Sequence, residues 1–386
     1  MPEAPLTPPR RHADDAALPP PPRAPFVELG LTSCFSFLRG ASDAVDLATT
    51  ARAQGHDALG IADANTMAGV VRLHTEARAL GLRPVIGCRI ETAEGLHFLA
   101  YPVDRAAYGR LCRLVSAGRM ATLDGEWQDK GACDISLAML AQHGEGVQLV
   151  LMPPDDLSSS FSIAVESNVI VLDSRRDAEA QREGKPALRE KPSPLCASAS
   201  LRESTLTAPF AQLLPHLAAQ LPTLRHLAAS YLYTGDDIAR INALDAMARG
   251  EGLSILATNL PLYHAPQRRP LHDVMTAIRH RTTVAAAGHL LRPNAERHLK
   301  SPEEMARLFA AWPHAIAATR EVADACTFSL EELRYEYPQE TCHKGLEPQD
   351  YLEKLTWEGA SRRYPDGLPD TVRETLEREL ALIGKL

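Results

Sequence analysis

The feature that most constrains the fold is an alternation of short apolar runs with amphipathic stretches, which begins at Phe26. Helical apolar spacing separates several of these runs, as in the stretch that opens at Ser42. The strand-length runs are 26–31, 58–62, 84–90, 96–101, 147–152, 169–172 and 253–258. Strands that alternate with helices form right-handed βαβ units around a mainly parallel sheet. The sequence therefore predicts an α/β domain over residues 26–265.

The rest of the chain differs in pattern from this α/β domain. Residues 1–25 contain many prolines and few large apolar side chains, which predicts a disordered leader. Residues 174–207 are polar, charged and without periodicity, which predicts a mobile insertion inside the α/β domain. Residues 266–386 repeat the i, i+3/i+4 apolar spacing of helices, so we predict an all-α segment there.

Composition argues against several classes of protein. No apolar run approaches the roughly 20 residues needed to span a bilayer, and no secretory leader is recognisable. The seven cysteines are scattered and never form a C-x-x-C pair, which favours a reducing cytoplasm and disfavours a zinc ribbon. A net charge of −8 is a poor match for a stand-alone DNA-binding protein. We therefore predict a cytoplasmic protein that makes no membrane contact.

Motifs that occur in order along the chain carry a family resemblance. The segment 28–42, ELGLTSCFSFLRGAS, resembles the opening of the PHP (polymerase and histidinol phosphatase) domain of bacterial C-family replicative polymerases. Its FSFLRGAS part is most similar to the error-prone branch. Later matches include AGVVR at 68–72, ATN at 257–259 and FSLEELRYEYP at 328–338. The resemblance implies a distorted (βα)7 PHP barrel followed by an all-α segment that leads into the thumb.

The resemblance also locates the positions at which an active PHP domain holds its metals. An active domain has an H-x-H pair at the end of its first strand, a His after T-D, a Glu after Gly-Cys, and a closing D-x-H. Such ligands converge at the carboxyl ends of barrel strands and bind divalent metals that activate water. The corresponding positions here are Gly30, Thr32, Asp63, Ala64, Arg89, Leu260 and Leu262. The resemblance therefore implies a degenerate metal site with no catalytic residue, in which only Asp63 could still be a ligand.

Polar residues near these positions have two interpretations each. Asp63 is either a residual ligand or an acceptor for a turn amide or a helix cap. Arg89 either pairs with Asp63 in the pocket where an active PHP domain holds its metals or is a solvated surface arginine. We expect His97 and His264 to be hydrogen-bonded, partly buried imidazoles rather than ligands. We expect Ser36 to be a turn hydroxyl, because no His or acid is paired with it in a recognised motif.

A basic stretch occupies residues 267–300, within the predicted helical segment. Its seven cations face only Asp273 and Glu296, which leaves a local charge of +5. The cations are Arg268, Arg269, Arg279, Arg281, Arg292, Arg297 and Lys300. Such a patch can neutralise phosphates without reading sequence. The resemblance implies a thumb surface near duplex DNA, and the alternative is a solvated helical surface.

The resemblance implies the non-catalytic PHP and thumb portion of an error-prone, translesion DNA polymerase that acts in DNA replication and in repair after DNA damage. The palm would follow Leu386, so we do not expect this chain alone to extend a primer or to need a cofactor, whereas the full polymerase would use Mg²⁺. DNA would be bound through the full polymerase, and other translesion or replication proteins are further expected partners. Whether the chain is a fragment, one half of a split gene or a truncated product stays open.

Two other functions stay open at this point. One is a metal-dependent PHP phosphoesterase or 3′–5′ exonuclease. The other is a stand-alone scaffold or truncated gene product without activity.

Overall fold

The computed structural model describes residues 24–167, 202–334 and 346–385. The described chain forms two compact units, one that ends at Glu332 and one that begins at Leu333. The predicted leader, apart from its last two residues, and the predicted strand 169–172 lie outside the described residues.

The strands of the first unit form two main sheets and a hairpin. In chain order they are β1 (Glu28–Leu31), β2 (Ala58–Ile61), β3 (Arg83–Val85), β4 (Cys88–Glu91), β5 (His97–Pro102), β6 (Val147–Met152), β7 (Ser160–Ser167), β8 (Arg202–Pro209), β9 (Leu224–Ala229) and β10 (Ser254–Ala257). One sheet has the order β1-β2-β3 and the other the order β10-β9-β6-β5-β4. Parallel pairing dominates, but β5 is antiparallel to both β4 and β6.

Helices connect and cover these strands. In the first unit they are α1 (Ala44–Ala53), α2 (Val70–Ala79), α3 (Arg105–Met120), α4 (Leu137–His143), α5 (Phe210–Gln220), α6 (Asp237–Gly250), α7 (Arg269–Arg279), α8 (Pro302–Leu308) and α9 (Pro313–Ala325). Several begin at a side-chain cap, which satisfies an otherwise unpaired amide of the first turn. Asp43 accepts from the amide of Asp46 at 2.9 Å, and Asp104 accepts from the amide of Ala107 at 2.7 Å.

The predicted single strand 84–90 is wrong, because the structure divides it into β3 and β4, which belong to different sheets. The chain changes sheet at Gly87, where any Cβ would collide with the ring of Tyr101. A residue without a side chain is required for this close approach. The Tyr101 hydroxyl then donates to the carbonyl of Leu29, so this ring ties the two sheets together.

The predicted mobile insertion 174–207 is wrong at its end, since residues 202–207 belong to β8. This strand pairs with β7 in an antiparallel hairpin. The hairpin is anchored because Ile163 and Ala208 are buried in the main core. Residues 174–201 of the predicted insertion lie outside the described residues.

Two seams join the sheets into a distorted barrel. At one seam the amide of Asn65 donates to the carbonyl of Arg89 at 2.8 Å, and the amide of Arg89 donates to the carbonyl of Asp63 at 3.0 Å. At the other seam the buried carboxylate of Glu28, in β1, accepts from the amide of Asn259 at 2.8 Å and from the hydroxyl of Thr258. A side chain thus links β1 to the end of β10.

Helix α9 packs against the barrel, so the first unit ends later than residue 265. Thr319 of α9 accepts a hydrogen bond from the amide of Val27 at 3.0 Å. Ala318 and Val322 of the same helix are buried in a core cluster that also contains Leu29. The division predicted at 265/266 therefore separates residues that share one core.

The second unit contains α10 (Pro348–Arg363) and α11 (Asp370–Ile383). The Gln349 side-chain amide donates to the carbonyl of Leu380 at 3.1 Å, and Arg373 lies 5.8 Å from the ring centre of Trp357. Across the described residues of both units, no helix combines the length and the apolar character that crossing a membrane would need.

Candidate functional site

The barrel brings together the positions that correspond to PHP metal ligands. Gly30 lies in β1, Asp63 just beyond β2, Arg89 in β4, and Leu260 shortly after β10. The amide of Thr32 donates to the carbonyl of Pro261 at 2.9 Å, which joins the β1 and β10 ends. These residues come from different strands and meet at one end of the barrel, as ligands of a metal centre would.

The space beside Gly30 is already filled. A Cβ at this position would lie 2.5 Å from Leu260 Cδ2 and 2.5 Å from Thr258 Oγ1. Leu260 itself has a φ of 45°, a left-handed conformation that is uncommon for a branched residue. An imidazole at position 30 therefore has no room unless the segment after β10 moves.

Asp63 is fully buried and its carboxylate oxygens are engaged. One oxygen accepts from the amide of Ser33 at 2.8 Å and from the hydroxyl of Ser36 at 2.7 Å, and the other accepts from the hydroxyl of Ser33 at 2.7 Å. The Ser36 hydroxyl also accepts from the amide of Ala64 at 2.9 Å. Burial raises the pKa of Asp63, although these hydrogen bonds and the charge of Arg89 oppose the rise. Asp63 thus acts as an acceptor for a turn, and Ser36 as a turn hydroxyl.

Arg89 takes neither of the two arrangements considered from the sequence. Its side chain is buried, and its Nε lies 3.2 Å from Glu91 Oε1 in an ion pair. The same oxygen lies 2.7 Å from a terminal nitrogen of Arg39, so one carboxylate serves two guanidinium groups. The contact with Glu91 lacks hydrogen-bond geometry, so among the described residues Arg89 Nε donates no hydrogen bond. Burial lowers the pKa of Arg89, while the neighbouring Glu91 raises it.

The donor set at these positions does not fit a divalent metal. Position 30 is closed by packing, position 89 carries a permanent cation, and the only carboxylate among the corresponding positions already accepts three hydrogen bonds. Metal binding needs several deprotonated ligands that converge on one point. Within residues 24–167, 202–334 and 346–385, no group of three His, Cys, Asp or Glu side chains is arranged to hold a metal ion.

Arginines line the cavity at this end of the barrel. It has a volume of about 370 Å³, and we call it the arginine cavity. Its charged lining residues are Arg39, Arg89, Arg292, Arg297, Glu91 and Asp155. Four cations face two carboxylates, which leaves a net charge of +2. His97 also lines the cavity, and burial lowers its pKa.

Of the two histidines discussed from the sequence, His264 contacts Ser42 and His97 lines the arginine cavity. His264 is partly buried, and its Nδ1 lies 2.8 Å from the hydroxyl of Ser42. Burial lowers the pKa of His264, although the nearby Asp46 raises it. His97, at the start of β5, is in the lining of the arginine cavity.

The seven predicted DNA-proximal cations do not form one surface. Lys300 is fully buried and pairs with Glu296, so the assignment of Lys300 to a phosphate-binding face is wrong. Arg268 pairs with Asp46 at 2.8 Å, and Arg269 lies 3.5 Å from Asp273. These three cations are therefore engaged within the fold.

The other four cations of this stretch lie nearer to the arginine cavity or to solvent. Arg292 lies 3.4 Å from Asp155, in an exposed ion pair at the cavity. Arg297 has no ion pair or side-chain hydrogen bond among the described residues, and burial lowers its pKa to about 10. A terminal nitrogen of Arg279 lies 3.5 Å from the carbonyl of Leu38, and Arg281 is exposed.

Three residues of the site were not singled out from the sequence. Glu91 stands two positions after Arg89 in a strand, and this period-2 spacing is a signal that could have found the pair. Arg39 lies in the FSFLRGAS motif, far from Glu91 in sequence, so only the fold reveals their contact. In the sequence Glu28 is an ordinary polar residue of a short strand, and no local signal predicts its hydrogen bond to Asn259 after β10.

Comparisons with known proteins agree with the motifs. Residues 28–185 match the PHP domain family. An error-prone DNA polymerase of Caulobacter vibrioides is 37% identical over 362 residues, which are 94% of this chain and 28% of that protein. Error-prone DNA polymerase 1 of Agrobacterium fabrum is 38% identical over 361 residues, and an error-prone DNA polymerase of Mesorhizobium japonicum is 40% identical over 363 residues.

These similarities confirm the resemblance and the α/β barrel expected from the sequence. The chain spans 28% of the length of each of these relatives, and the matched residues are 94% of this chain. Among solved structures, an amidohydrolase from Chromobacterium violaceum is 12% identical with a TM-score of 0.37, covering 60% of this chain and 86% of that one.

Proposed function

We propose that this chain, a homologue of bacterial error-prone DNA polymerases that carries a PHP domain, is the non-catalytic PHP and thumb-proximal part of such a polymerase. The full polymerase would copy damaged DNA in replication and repair in the cytoplasm, with Mg²⁺ held by a palm. The observation that carries the loss of metal chemistry is the filled space beside Gly30, where Leu260 and Thr258 leave no room for an imidazole. The cation at Arg89 supports the same conclusion, because it repels a divalent metal.

The barrel is proposed to act as a structural support for the polymerase. Its strand ends are held together by hydrogen bonds that need no metal. Asp63 holds the turn that contains Ser33 and Ser36, and Glu28 joins β1 to Thr258 and Asn259. Buried carboxylates that accept several hydrogen bonds rigidify the segments that donate to them.

Metal content and hydrolysis test the loss of metal chemistry. The purified chain is incubated with Mn²⁺, Zn²⁺ or Fe²⁺, desalted and measured by inductively coupled plasma mass spectrometry. Parallel assays follow p-nitrophenyl phosphate hydrolysis and 3′–5′ degradation of a labelled oligonucleotide. We expect far less than one metal per chain and no turnover above buffer. One metal or more per chain together with turnover would favour the phosphoesterase or exonuclease alternative.

A chimaera tests the polymerase role. The matching segment of the Caulobacter vibrioides error-prone DNA polymerase is replaced by this chain, and primer extension is measured beside the thermal unfolding midpoint. We expect extension to persist, and a Glu28→Ala chimaera to unfold at a lower temperature. A folded chimaera that cannot extend a primer contradicts a supporting role and favours the stand-alone alternative.

A further inference from the structure

We propose that the arginine cavity binds a phosphate-bearing anion directly through its guanidinium groups, without a metal ion. This inference rests on the proposed loss of metal binding, since the arginines stand where metals would otherwise attract a phosphate. It goes further by assigning a ligand class to the site.

Charge is the first reason. Arg39, Arg89, Arg292 and Arg297 face Glu91 and Asp155, which leaves a net charge of +2 in a partly enclosed space. Like charges held this close repel one another, and an anion that enters the cavity offsets this repulsion. A phosphate monoester, which carries close to two negative charges at neutral pH, would balance that excess.

Unused donors are the second reason. Among the described residues, the Arg297 guanidinium has neither an ion pair nor a side-chain hydrogen bond. The buried Arg89 Nε lies 3.2 Å from Glu91 Oε1, but this contact lacks hydrogen-bond geometry, so its N–H has no acceptor there. A buried donor without an acceptor is costly, so such groups in a cavity indicate a missing partner. Guanidinium groups present paired N–H donors whose geometry matches two oxygens of one phosphate.

The existing ion pairs do not block this site. Arg292 pairs with Asp155 at 3.4 Å, and the two side chains are 41% and 85% exposed, so this contact is weak and can be exchanged for a ligand. Glu91 is shared between Arg39 and Arg89, which leaves each guanidinium with further free N–H groups. The carboxylate thus orients two arginines without neutralising both.

The dimensions of the cavity set the size of the ligand. About 370 Å³ exceeds the space that a single phosphate group fills and falls in the range of small-molecule sites. Phe161, Leu260 and Leu262 contribute apolar wall beside the arginines. The same phosphate chemistry could come from inorganic phosphate, from a deoxynucleoside monophosphate or from a 5′-phosphorylated DNA end, and the experiment separates these sources.

Isothermal titration calorimetry of the whole chain in EDTA tests the proposal. The probes are inorganic phosphate, deoxyadenosine monophosphate and a 5′-phosphorylated oligonucleotide with its unphosphorylated twin, each repeated with Mn²⁺ in place of EDTA. We expect saturable binding of at least one phosphate-bearing probe in EDTA. A preference for the monophosphate identifies a nucleotide site, and discrimination between the two oligonucleotides identifies a DNA end. No binding of any probe under either condition overturns the anion site and leaves the proposed function standing, whereas binding only with Mn²⁺ overturns both.

Matched variants place the binding in the cavity. Arg297→Gln removes an unpaired cation and should weaken binding by at least about tenfold, because charge-assisted hydrogen bonds are lost. Arg281→Gln removes an exposed cation that does not line the cavity and should leave the affinity for inorganic phosphate and deoxyadenosine monophosphate unchanged. Arg89→Lys keeps the charge but loses the paired donors, and it should weaken binding less than Arg89→Gln. Equal affinity of the wild type and Arg297→Gln, both folded by circular dichroism, would overturn the proposal.

Discussion

At the scale of single residues, the packing around Gly30 can be tested directly. A Gly30→His variant must displace Leu260 and Thr258, each 2.5 Å from the new Cβ. Overpacking of this kind lowers the free energy of unfolding by about 1–3 kcal/mol. Urea unfolding measures the loss. Gly109→Ala, inside helix α3, is the control for added volume and should not lower the stability. Its Cβ would meet nothing nearer than Arg113 at 3.7 Å, and alanine favours a helix more than glycine does. A Gly30→His protein with wild-type stability that takes up metal would contradict the closed site.

His56 is a second residue whose environment predicts a measurable effect. It is fully buried, and its Nε2 lies 3.0 Å from the carbonyl of Lys300. Burial lowers its pKa from 6.5 to about 4, so the folded state binds fewer protons than the unfolded state between these values. Stability from His56 is therefore present above pH 6.5 and is lost as the pH falls towards 4, by up to about 3 kcal/mol.

Unfolding in urea at several pH values measures this effect. The slope of unfolding free energy between pH 6.5 and 4 should become shallower in a His56→Asn variant. His289, which is exposed, gives the control variant His289→Asn, whose slope should match the wild type. An unchanged slope in His56→Asn would show that His56 is not the group that titrates.

At the scale of elements, the Glu28 carboxylate supports the seam between β1 and β10, beside the backbone hydrogen bond from Thr32 to Pro261. Glu28→Ala leaves the amide of Asn259 and the hydroxyl of Thr258 without their buried acceptor. Each unsatisfied group costs about 1–3 kcal/mol, so we expect a loss of at least about 2 kcal/mol. Chemical unfolding measures it, and hydrogen exchange should rise in β1 and β10 before the other strands. Glu145→Ala, at an exposed side chain, is the control and should behave as the wild type.

Elements whose signals are local could be predicted from the sequence. The starts of α1 and α3 follow from Asp43 and Asp104, because a cap acts within three residues. The break at Gly87 could not be predicted, since its cause is the ring of Tyr101, which is distant in sequence until the sheets form. The hairpin strand β8 was also missed, because its polar sequence is stabilised by pairing with β7 rather than by an apolar run.

The candidate site shows the same limit. The positions that correspond to PHP metal ligands followed from motifs, and Asp63 could be assigned two roles but not one. The contact between Arg39 and Glu91, and the free guanidinium of Arg297, depend on how distant segments meet at the barrel end. Local charge counting placed Lys300 with the surface cations, whereas tertiary packing buries it beside Glu296.

At the scale of the whole molecule, the distribution of cations predicts weak DNA binding by this chain alone. If all seven cations of residues 267–300 contacted phosphates, the slope of log K against log[salt] would be roughly −6. Lys300 is buried, and Arg268 and Arg269 pair with Asp46 and Asp273. At most four of the seven remain, so we expect a slope shallower than roughly −4.

Fluorescence anisotropy with a labelled duplex between 50 and 200 mM salt measures this slope. A Lys300→Met variant separates packing from DNA contact. The substitution removes the partner of Glu296 and Glu304 and should lower the unfolding midpoint, while the affinity for DNA stays at the wild-type value. Arg281→Gln should do the reverse, since Arg281 is exposed and its loss leaves the core unchanged. A Lys300→Met protein that keeps its stability but loses DNA affinity would show that Lys300 contacts DNA. Its salt slope would then be expected to fall by about 1, the value for one phosphate contact.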